Sequence, residues 1–338
     1  MSTLITPGTL HQKLPITSGC LELVQKTRHD IARILSKEDD RLVVVVGPCS
    51  IHNTDSALEY AKKLRVCIEK YQGSLCIVMR AYLEKARTSI GWKGFINDPQ
   101  LNLTFDIEAG LTAGRSLLLN INALGVPTGT EILNPYITPY FSDIISWAAI
   151  GARTTESQVH RELAASLPIP IGFKNNTAGD IQAAIDGVRT AMEPHTFLGL
   201  SPEGNITVVR SSGNAHCHVV LRGSHQKTNY DAKTVSDTAK ALNTFHPGNR
   251  IMIDCSHGNS QKNHEEQLNV VQALSNRIKT GSHDFFGIML ESHLIAGKQV
   301  CQHNHPIQPN QSITDPCIGW EETEHALSML SEAVLTRR

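Results

Sequence analysis

The sequence predicts an α/β protein folded as a (β/α)8 TIM barrel. From residue 42 onward, eight short β-rich apolar runs recur, and helix-like segments lie between most of them. Each run ends in a polar or charged residue, as expected where a barrel delivers chemical groups from the carboxyl ends of its strands. A doubly wound open sheet would also alternate strands and helices, but it would not need a chemical residue at the end of every strand. The barrel is therefore favoured.

The first strand is predicted from the stretch LVVVVGPCS at 42–50. Its apolar run has no polar interruption and is too short to span a membrane, which is typical of a parallel strand buried on both faces. Gly47 and Pro48 end the strand abruptly. Cys49 is therefore expected at the ligand-binding edge of the barrel.

The other strand candidates repeat this unit with different final residues. In chain order they end at Arg80, Glu131, Arg153, Lys174, Arg222, His257 and Glu291–Ser292. The helix-like segments lie at 54–70, 108–124, 138–148, 156–166, 179–192, 232–243 and 262–279. Together they assign residues 42–338 to one catalytic barrel.

Residues 1–41 are predicted to form an N-terminal arm. Thr6-Pro7-Gly8 and Leu14-Pro15 are expected to break the start of the chain, and 21–35 has the apolar spacing of an amphipathic helix. One interpretation is a helix packed on the outside of the core. The other is an arm used in oligomer contacts or regulation.

Two stretches interrupt the strand–helix rhythm. Residues 196–210 read as two alternating apolar runs about a Ser-Pro-Glu-Gly-Asn turn, which predicts an inserted β-hairpin. Residues 81–107 form a long connection with several glycines, and connections of that length in compact domains are usually functional.

Composition excludes several classes of function. The formal net charge is −1, so the overall balance gives no support to binding of nucleic acid or of an anionic membrane surface. No apolar run approaches the roughly 20 residues of a membrane span, and the N-terminus lacks the pattern of a signal peptide. Eight cysteines without a CxxC pair are typical of reduced thiols, which favours a cytoplasmic enzyme.

Cations gather at or just after the predicted strand ends. They are Arg80, Lys85, Arg153, Lys174 and Arg222. Lysine and arginine commonly solvate a barrel rim, but five of them converging on one mouth would repel one another unless anions neutralised them. Because arginine suits phosphate and carboxylate, the cluster predicts a ligand with several negative charges.

A second constellation consists of Cys49, His257, Glu291 and Asp315. A thiolate, an imidazole and two carboxylates suit one divalent transition metal such as Mn, Fe, Co or Zn. No short motif links these residues, so spacing alone would favour a buried structural Cys49. The rival run His216-Cys217-His218 is a poor ligand set because neighbouring strand residues point to opposite faces. A metal beside a cationic pocket indicates Lewis-acid chemistry on small phosphorylated carboxylates.

Eight ordered motifs resemble those of the type I 3-deoxy-D-arabino-heptulosonate 7-phosphate (DAHP) synthases. They are GPCSIH (47–52), MRAYLEKARTSIGWKG (79–94), IGARTTESQVHRE (150–162), GFKN (172–175), CHVVLRG (217–223), IDCSHGNS (253–260), ESHL (291–294) and SITDPCIGW (312–320). The resemblance implies a TIM barrel that condenses phosphoenolpyruvate with erythrose 4-phosphate, giving DAHP and phosphate in the first step of the shikimate pathway.

The resemblance also implies residue roles. Cys49, His257, Glu291 and Asp315 match the family's metal ligands, and Arg80, Lys85, Arg153, Lys174 and Arg222 match its phosphoenolpyruvate-binding cations. Arg87 and Thr88 match positions that hold the aldose phosphate, and Glu131 lies in the same pocket. Lys85 is the expected proton donor to the nascent alkoxide, with a pKa lowered by the surrounding cations. Cys49 is a metal ligand, a redox-sensitive control point, or both.

Departures from the family pattern cluster near the second substrate. The usual Lys-Pro-Arg-Thr reads Lys85-Ala86-Arg87-Thr88, the second glycine of Arg-Gly-Gly is Ser224, and Asn134 replaces an acidic residue. Because alanine does not fix φ, the loop loses preorganisation where the aldehyde should lie. The alternative function is therefore a paralogue condensing phosphoenolpyruvate with another aldose. A non-catalytic effector-binding or partner-binding relative is a further alternative, and the intact metal set argues against it.

Many members of the family that the sequence resembles are inhibited by Phe, Tyr or Trp, bound where the arm meets segments near 134–142 and 163–168. An aromatic amino acid is therefore a candidate inhibitor, and Asn134 and Pro168 are unusual at this place. The resemblance also implies a homodimer or a homotetramer.

Overall fold

The computed structural model describes residues 3–87, 90–248, 250–301 and 307–338. Eight parallel strands close into a barrel, which confirms the predicted fold class. Four further strands, β6, β7, β11 and β12, form two small sheets outside the barrel. The strands of the described residues in chain order are β1 Leu42–Gly47, β2 Leu75–Arg80, β3 Thr128–Ile132, β4 Trp147–Ile150, β5 Ile171–Lys174, β6 His195–Leu200, β7 Ile206–Ser211, β8 His218–Leu221, β9 Ile251–Asp254, β10 Gly287–Glu291, β11 Ile295–Lys298 and β12 Gln311–Ser312.

The barrel closes through β1, which pairs with both β2 and β10. Val43 is in register with Cys76 on one side and with Gly287 on the other. The order around the barrel is β1-β10-β9-β8-β5-β4-β3-β2. Every residue of β1 is buried, and burying one valine contributes roughly 1.5–3 kcal/mol relative to exposure. Because all eight strands are parallel, their carboxyl ends meet at one rim.

The α-helices surround this barrel. They are α1 Pro7–Lys13, α2 Ser18–Leu35, α3 Thr54–Tyr71, α4 Ile107–Ala123, α5 Gln158–Ser166, α6 Gln182–Met192, α7 Ala232–Asn243, α8 Glu266–Lys279 and α9 Trp320–Arg337. Six of the seven predicted helical segments are confirmed, with their starts shifted by up to four residues. The prediction did not include α9.

The predicted helix at 138–148 is wrong. Two single-turn 3-10 helices, Thr138–Tyr140 and Ser142–Ile144, occupy its first part, and the buried run of β4 takes its end. Carbonyls that an α-helix would use internally instead accept from arginines: Tyr140 O from Arg115, and Ser142 O and Ile145 O from Arg28. Tertiary hydrogen bonds therefore replace the helical ladder here.

The break predicted at Thr6-Pro7-Gly8 is wrong, because Pro7–Lys13 is helical, whereas the break predicted at Leu14-Pro15 is confirmed, because these residues separate α1 from α2. Thr6 caps this helix by accepting the Thr9 N–H at 3.2 Å, and Pro7 stands in the first turn, where a missing N–H costs nothing. The Gly8 N–H donates to Pro202 O at 2.7 Å, so the arm contacts the inserted segment.

The last turn of α2 lies beneath the barrel. Ile31, Ile34 and Leu35 belong to the same buried cluster as the inward-facing Val43 and Phe286. One of the two interpretations was a helix packed on the outside of the core, but the last turn of α2 belongs to the core of the barrel. Its last turn helps to close the end of the barrel opposite the carboxyl rim.

The predicted hairpin is confirmed as the antiparallel pair β6–β7. Leu198, Ile206 and Val208 are exposed on it. A second small sheet, β11–β12, follows β10 and was not predicted. In the described ranges, no helix is both long and apolar enough to cross a membrane.

Candidate active site

A pocket of about 260 Å³ opens at the carboxyl rim of the barrel. The structure brings most of the predicted site residues to it: Arg80, Lys85, Arg87, Glu131, Arg153, Lys174, Arg222, His257, Glu291 and Asp315. Thr88 lies outside the described residues. The run His216-Cys217-His218 does not contribute, because His218 is buried and accepts from the Trp147 indole N–H at 3.1 Å.

Cys49, Glu291 and Asp315 converge at one side of this pocket. One thiol sulfur and one oxygen from each carboxylate all lie within 4.8 Å of one another. Cys49 reaches this position through Gly47, whose φ of 149° brings its backbone close to that of Arg80. Burial, and then the charge of Glu291, raise the pKa of the Cys49 thiol to about 12. A bound divalent cation would offset both effects by favouring the thiolate.

His257 stands next to this trio rather than within it. Its Nε2 lies 3.6 Å from Glu291 Oε1, while its Nδ1 lies 2.9 Å from Asp254 Oδ2. Metal-binding histidines usually present one ring nitrogen to the ion and the other to a carboxylate or another acceptor. The donor chemistry of Cys49, Glu291, Asp315 and His257 Nε2 therefore fits a divalent transition metal.

Lys85 links the trio to the pocket. Its Nζ donates to Cys49 Sγ at 2.7 Å and to Asp315 Oδ2 at 3.0 Å. The expectation of a lowered pKa is wrong. Burial lowers the pKa of Lys85, but the electrostatic effects of Cys49, Asp315 and Glu291 outweigh burial and raise it above its ordinary value. The nearest charges are anions, whereas the sequence suggested cations.

Arg80 forms the floor of the site. Its side chain is 1% exposed, and its Nη2 donates to Glu291 Oε1 at 3.1 Å. Its guanidinium also stacks 3.9 Å from the centroid of the Tyr82 ring. Arg80 therefore fixes Glu291 and places a positive charge beneath the pocket.

The opposite wall is cationic. Arg222 is buried, and burial lowers its pKa, with a further lowering from the positive charge of Arg153. Three asparagines brace this wall. The Arg222 N–H donates to Asn175 Oδ1 at 2.8 Å, Asn229 Nδ2 donates to the same oxygen, and Asn259 Nδ2 donates to Leu221 O. Arg153 and Arg222 both line the pocket, and guanidinium groups favour an anionic ligand.

Asp254 is a site residue that the sequence analysis missed. It ends β9 and is fully buried, with Lys174 Nζ 3.2 Å from its Oδ2. The sequence signal was present, because an acid at the end of the apolar run IMID is unusual in a buried strand. His257 was predicted as the end of this strand, and Asp254 was therefore passed over.

Glu84 was also missed. It lines the pocket beside Glu131, and its Oε2 accepts the Asn134 N–H at 3.3 Å. Burial raises its pKa to about 7, and the charge of Glu131 adds to this effect. No sequence pattern indicated this, because Glu84 stands outside every predicted strand.

The outer rim carries more cationic or titratable residues that the sequence analysis did not single out: His225, Lys262 and His264. Arg87 lies on the same rim, and its Nε donates to Trp92 O at 2.8 Å. His257 and Lys262 have φ values of 56° and 62°, an uncommon conformation for residues other than glycine. Such strain is concentrated at functional sites.

The sequence matches the DAHP synthetase I family over residues 20–328. Among curated proteins, it is 46% identical over 337 residues to "Phospho-2-dehydro-3-deoxyheptonate aldolase, Trp-sensitive" of Enterobacter agglomerans, covering 100% of this chain and 97% of that protein. It is 45% identical over 334 residues to phospho-2-dehydro-3-deoxyheptonate aldolase of Haemophilus influenzae, covering 99% of this chain and 92% of that protein.

A solved structure is equally similar. The phospho-2-dehydro-3-deoxyheptonate aldolase from Francisella tularensis superposes with a TM-score of 0.97 at 45% identity, covering 100% of this chain and 98% of that one. The similarity therefore extends over arm, barrel and hairpin.

Proposed function

The chain belongs to the DAHP synthetase I family, and from this premise and the pocket geometry we propose that it condenses phosphoenolpyruvate with erythrose 4-phosphate. The products are DAHP and inorganic phosphate. The observation that carries the proposal is one pocket in which a cationic wall faces the cluster of Cys49, Glu291 and Asp315.

The cationic wall is suited to phosphoenolpyruvate. Arg153, Lys174 and Arg222 would hold its phosphate and carboxylate, with Arg80 beneath them. The backbone N–H of Arg222 donates to Asn175 Oδ1 and its Nη1 donates to Gly223 O at 3.2 Å, so the backbone and the guanidinium are each held by a hydrogen bond before an anion binds. Arg87 at the outer rim, with Thr88, would hold the phosphate of the aldose.

The proposed condensation forms a carbon–carbon bond and breaks a carbon–oxygen bond. A carbon–carbon bond forms between C3 of phosphoenolpyruvate and the aldehyde carbon, water adds at C2, and cleavage of the C2–O bond releases phosphate. Lys85 is placed to give a proton to the alkoxide that forms from the aldehyde oxygen. Its contacts with Cys49 and Asp315 keep it protonated and aimed at that side of the pocket.

Cys49, His257, Glu291 and Asp315 would hold one divalent metal, Mn, Fe, Co or Zn. When bound, the ion supplies Lewis-acid polarisation of the aldehyde carbonyl. The mixture of sulfur, nitrogen and oxygen donors accepts several of these ions.

The deciding experiment measures phosphate release from phosphoenolpyruvate by chelator-stripped, Mn-reloaded protein, with and without erythrose 4-phosphate. We expect release that requires both the metal and the aldose, and that is lost in Lys174→Met but kept in Lys240→Met. Lys240 is an exposed lysine on α7 and is the matched control. Metal-loaded protein that stays silent with every aldehyde would contradict the proposal.

A second candidate function is the same enol chemistry on a different aldose. Ala86 and Arg87 both line the pocket, and Ala86 is the departure that favours this alternative. A panel of aldehydes in the phosphate-release assay separates the two. Faster release with another aldose than with erythrose 4-phosphate, reversed by Ala86→Pro, would establish the alternative.

We also propose feedback inhibition by an aromatic amino acid, with tryptophan the first to test because similar curated proteins are named Trp-sensitive. The arm meets the 138–145 segment at several points: Tyr140 Oη donates to Ile5 O at 2.6 Å, and His11 Nε2 lies 3.3 Å from Tyr140 O. A ligand that alters this contact would affect the pocket indirectly. The effect would be transmitted through the hydrogen bond between the Asn134 N–H and Glu84. Titration of the three aromatic amino acids in the phosphate assay tests this.

We also propose that the protein forms a homodimer or a homotetramer and lies in the cytoplasm. The exposed apolar residues Leu198, Ile206 and Val208 support association through the hairpin. Eight free cysteines, including Cys49, which must ionise to bind metal, support a reducing compartment. Sedimentation and cell fractionation test these two points.

A further inference from the structure

Asp254 joins two parts of the site that the reaction uses separately. It is fully buried at the end of β9, and its Oδ2 lies 3.2 Å from Lys174 Nζ and 2.9 Å from His257 Nδ1. Lys174 belongs to the wall suited to phosphoenolpyruvate, and His257 belongs to the candidate metal set. One buried carboxylate therefore contacts a substrate cation and a metal ligand at the same time.

Ser256 defines how the proton of His257 is placed. Ser256 Oγ donates to Asp254 Oδ1 at 2.5 Å, and the Ser256 N–H donates to the same oxygen at 3.0 Å. A serine has a single hydroxyl proton. Since that proton goes to Asp254, Ser256 Oγ must accept from His257 Nδ1, which lies 2.7 Å away. His257 therefore carries its proton on Nδ1.

This tautomer directs the lone pair of Nε2 toward Glu291, whose Oε1 is 3.6 Å away. The opposite tautomer would put an N–H where a metal ligand needs a lone pair. His257 also has a φ of 56°, a backbone conformation that is unfavourable for residues other than glycine. The hydrogen bonds to its ring therefore help to hold the residue in this conformation.

The same carboxylate holds the Lys174 ammonium. Lys174 is 3% exposed, and a buried ammonium keeps its charge only when it is paired. Among the described residues, Asp254 is the only carboxylate that forms an ion pair with Lys174. Without Asp254, Lys174 would lose both its orientation and the partner that sustains its charge.

We propose that Asp254 is a positioning residue serving both ligands, so that it fixes the His257 tautomer for the metal and the Lys174 ammonium for the phosphorylated substrate. The inference rests on the proposed function only in the choice of ligands. Ser256 contacts His257 directly and, among the described contacts, reaches Lys174 only through Asp254, which would keep the Ser256 backbone N–H as a donor in Ser256→Ala.

The test compares Asp254→Asn, Ser256→Ala and the control Asp237→Asn, which removes a solvent-exposed Asp–Lys pair. Co(II) affinity is read from the thiolate–Co(II) absorption, and phosphoenolpyruvate affinity from calorimetry with Mn-loaded protein. ¹⁵N NMR of the histidines reports the tautomer of His257. None of these readouts requires turnover, so they remain decisive even if the proposed condensation fails.

We expect Asp254→Asn to weaken Co(II) binding 10- to 100-fold, to weaken phosphoenolpyruvate binding at least tenfold, and to shift the His257 ¹⁵N signals. Ser256→Ala should weaken Co(II) binding and leave phosphoenolpyruvate binding within about twofold. Asp237→Asn should change neither. Loss of only one of the two affinities in Asp254→Asn would overturn the shared role. If Asp254→Asn does not fold, the ¹⁵N spectrum of the wild-type protein decides: a His257 ring protonated on Nε2 and not on Nδ1 overturns the proposal.

Discussion

The ammonium nitrogen of Lys85 lies 2.7 Å from the sulfur of Cys49. The same nitrogen lies 3.0 Å from Asp315 Oδ2, so one lysine binds two of the candidate metal ligands. The hydrogen bond to Cys49 and the negative charge of Asp315 keep the lysine charged despite its burial. Lys85 therefore lies between the pocket and the candidate metal ligands.

Replacing Lys85 with methionine should reduce kcat about 10²- to 10⁴-fold, the range for loss of a general acid. The apolar stem is conserved, so the fold should remain intact by circular dichroism. Lys62→Met, on the exposed face of α3, is the matched control and should keep full activity. Phosphate-release kinetics measure the effect, and a Lys85→Met enzyme with wild-type kcat would remove Lys85 from the chemistry.

Replacing Cys49 with alanine should abolish the thiolate–Co(II) absorption and weaken metal binding at least tenfold, because the only sulfur in the described donor set is lost. Chelation of the wild-type protein should stop phosphate release, and Mn should restore it. Cys67→Ala, which removes a buried thiol on α3 away from the site, is the control. An unchanged Co(II) spectrum in Cys49→Ala would place the metal elsewhere.

The barrel was predictable because each strand is a short apolar run that ends in a polar or charged residue. The strand ends also bring Lys174 and Glu291 to one pocket, and Cys49 lies beside Glu291. Strand periodicity identifies such positions because burial on both faces leaves a continuous signal.

What escaped prediction depends on contacts between distant parts of the chain. The 138–145 segment has helical spacing, but Arg28 and Arg115 donate hydrogen bonds to its carbonyl oxygens, which are then not free for a helix. The sign of the pKa shift at Lys85 required knowing that Cys49 and Asp315 are closer than any cation. Such distances are set by tertiary packing and leave no local pattern.

Glu84 should make stability depend on pH. Burial raises its folded-state pKa to about 7, above the ordinary value of 4.5. The folded protein therefore holds a proton that the unfolded chain releases, so the contribution of Glu84 is fully present below pH 4.5 and is lost as the pH rises to 7. Glutamine cannot ionise, so Glu84→Gln should gain stability relative to wild type across this window, by up to about 3 kcal/mol.

Urea unfolding at pH 4.5, 6 and 7.5 measures this difference in the free energy of unfolding. Glu59→Gln, an exposed position on α3, is the control and should show no pH-dependent gain. A constant difference between Glu84→Gln and wild type at all three pH values would mean that Glu84 ionises in the folded protein as it does in the unfolded chain.

Arg115 should anchor the arm to the barrel. Its fully buried guanidinium donates to Leu14 O at 2.8 Å, to Tyr140 O at 2.8 Å and to both oxygens of Asp143. Arg115→Ala would leave these acceptors without a partner, and breaking such a buried pair costs about 3 kcal/mol in the free energy of unfolding. The figure is at the low end of the range because Asp143 is partly exposed.

Arg65→Ala is the matched control, because it removes an exposed arginine paired with Glu69 and should cost less than about 1 kcal/mol. Arg115→Ala should also speed proteolytic cleavage within residues 3–35, since the Leu14 contact holds the arm to the 138–145 segment. Urea unfolding and limited proteolysis measure the two effects. Equal stability and equal cleavage in the two variants would show that the arm is held by its apolar contacts, chiefly the burial of Leu10 and Val24, and not by Arg115.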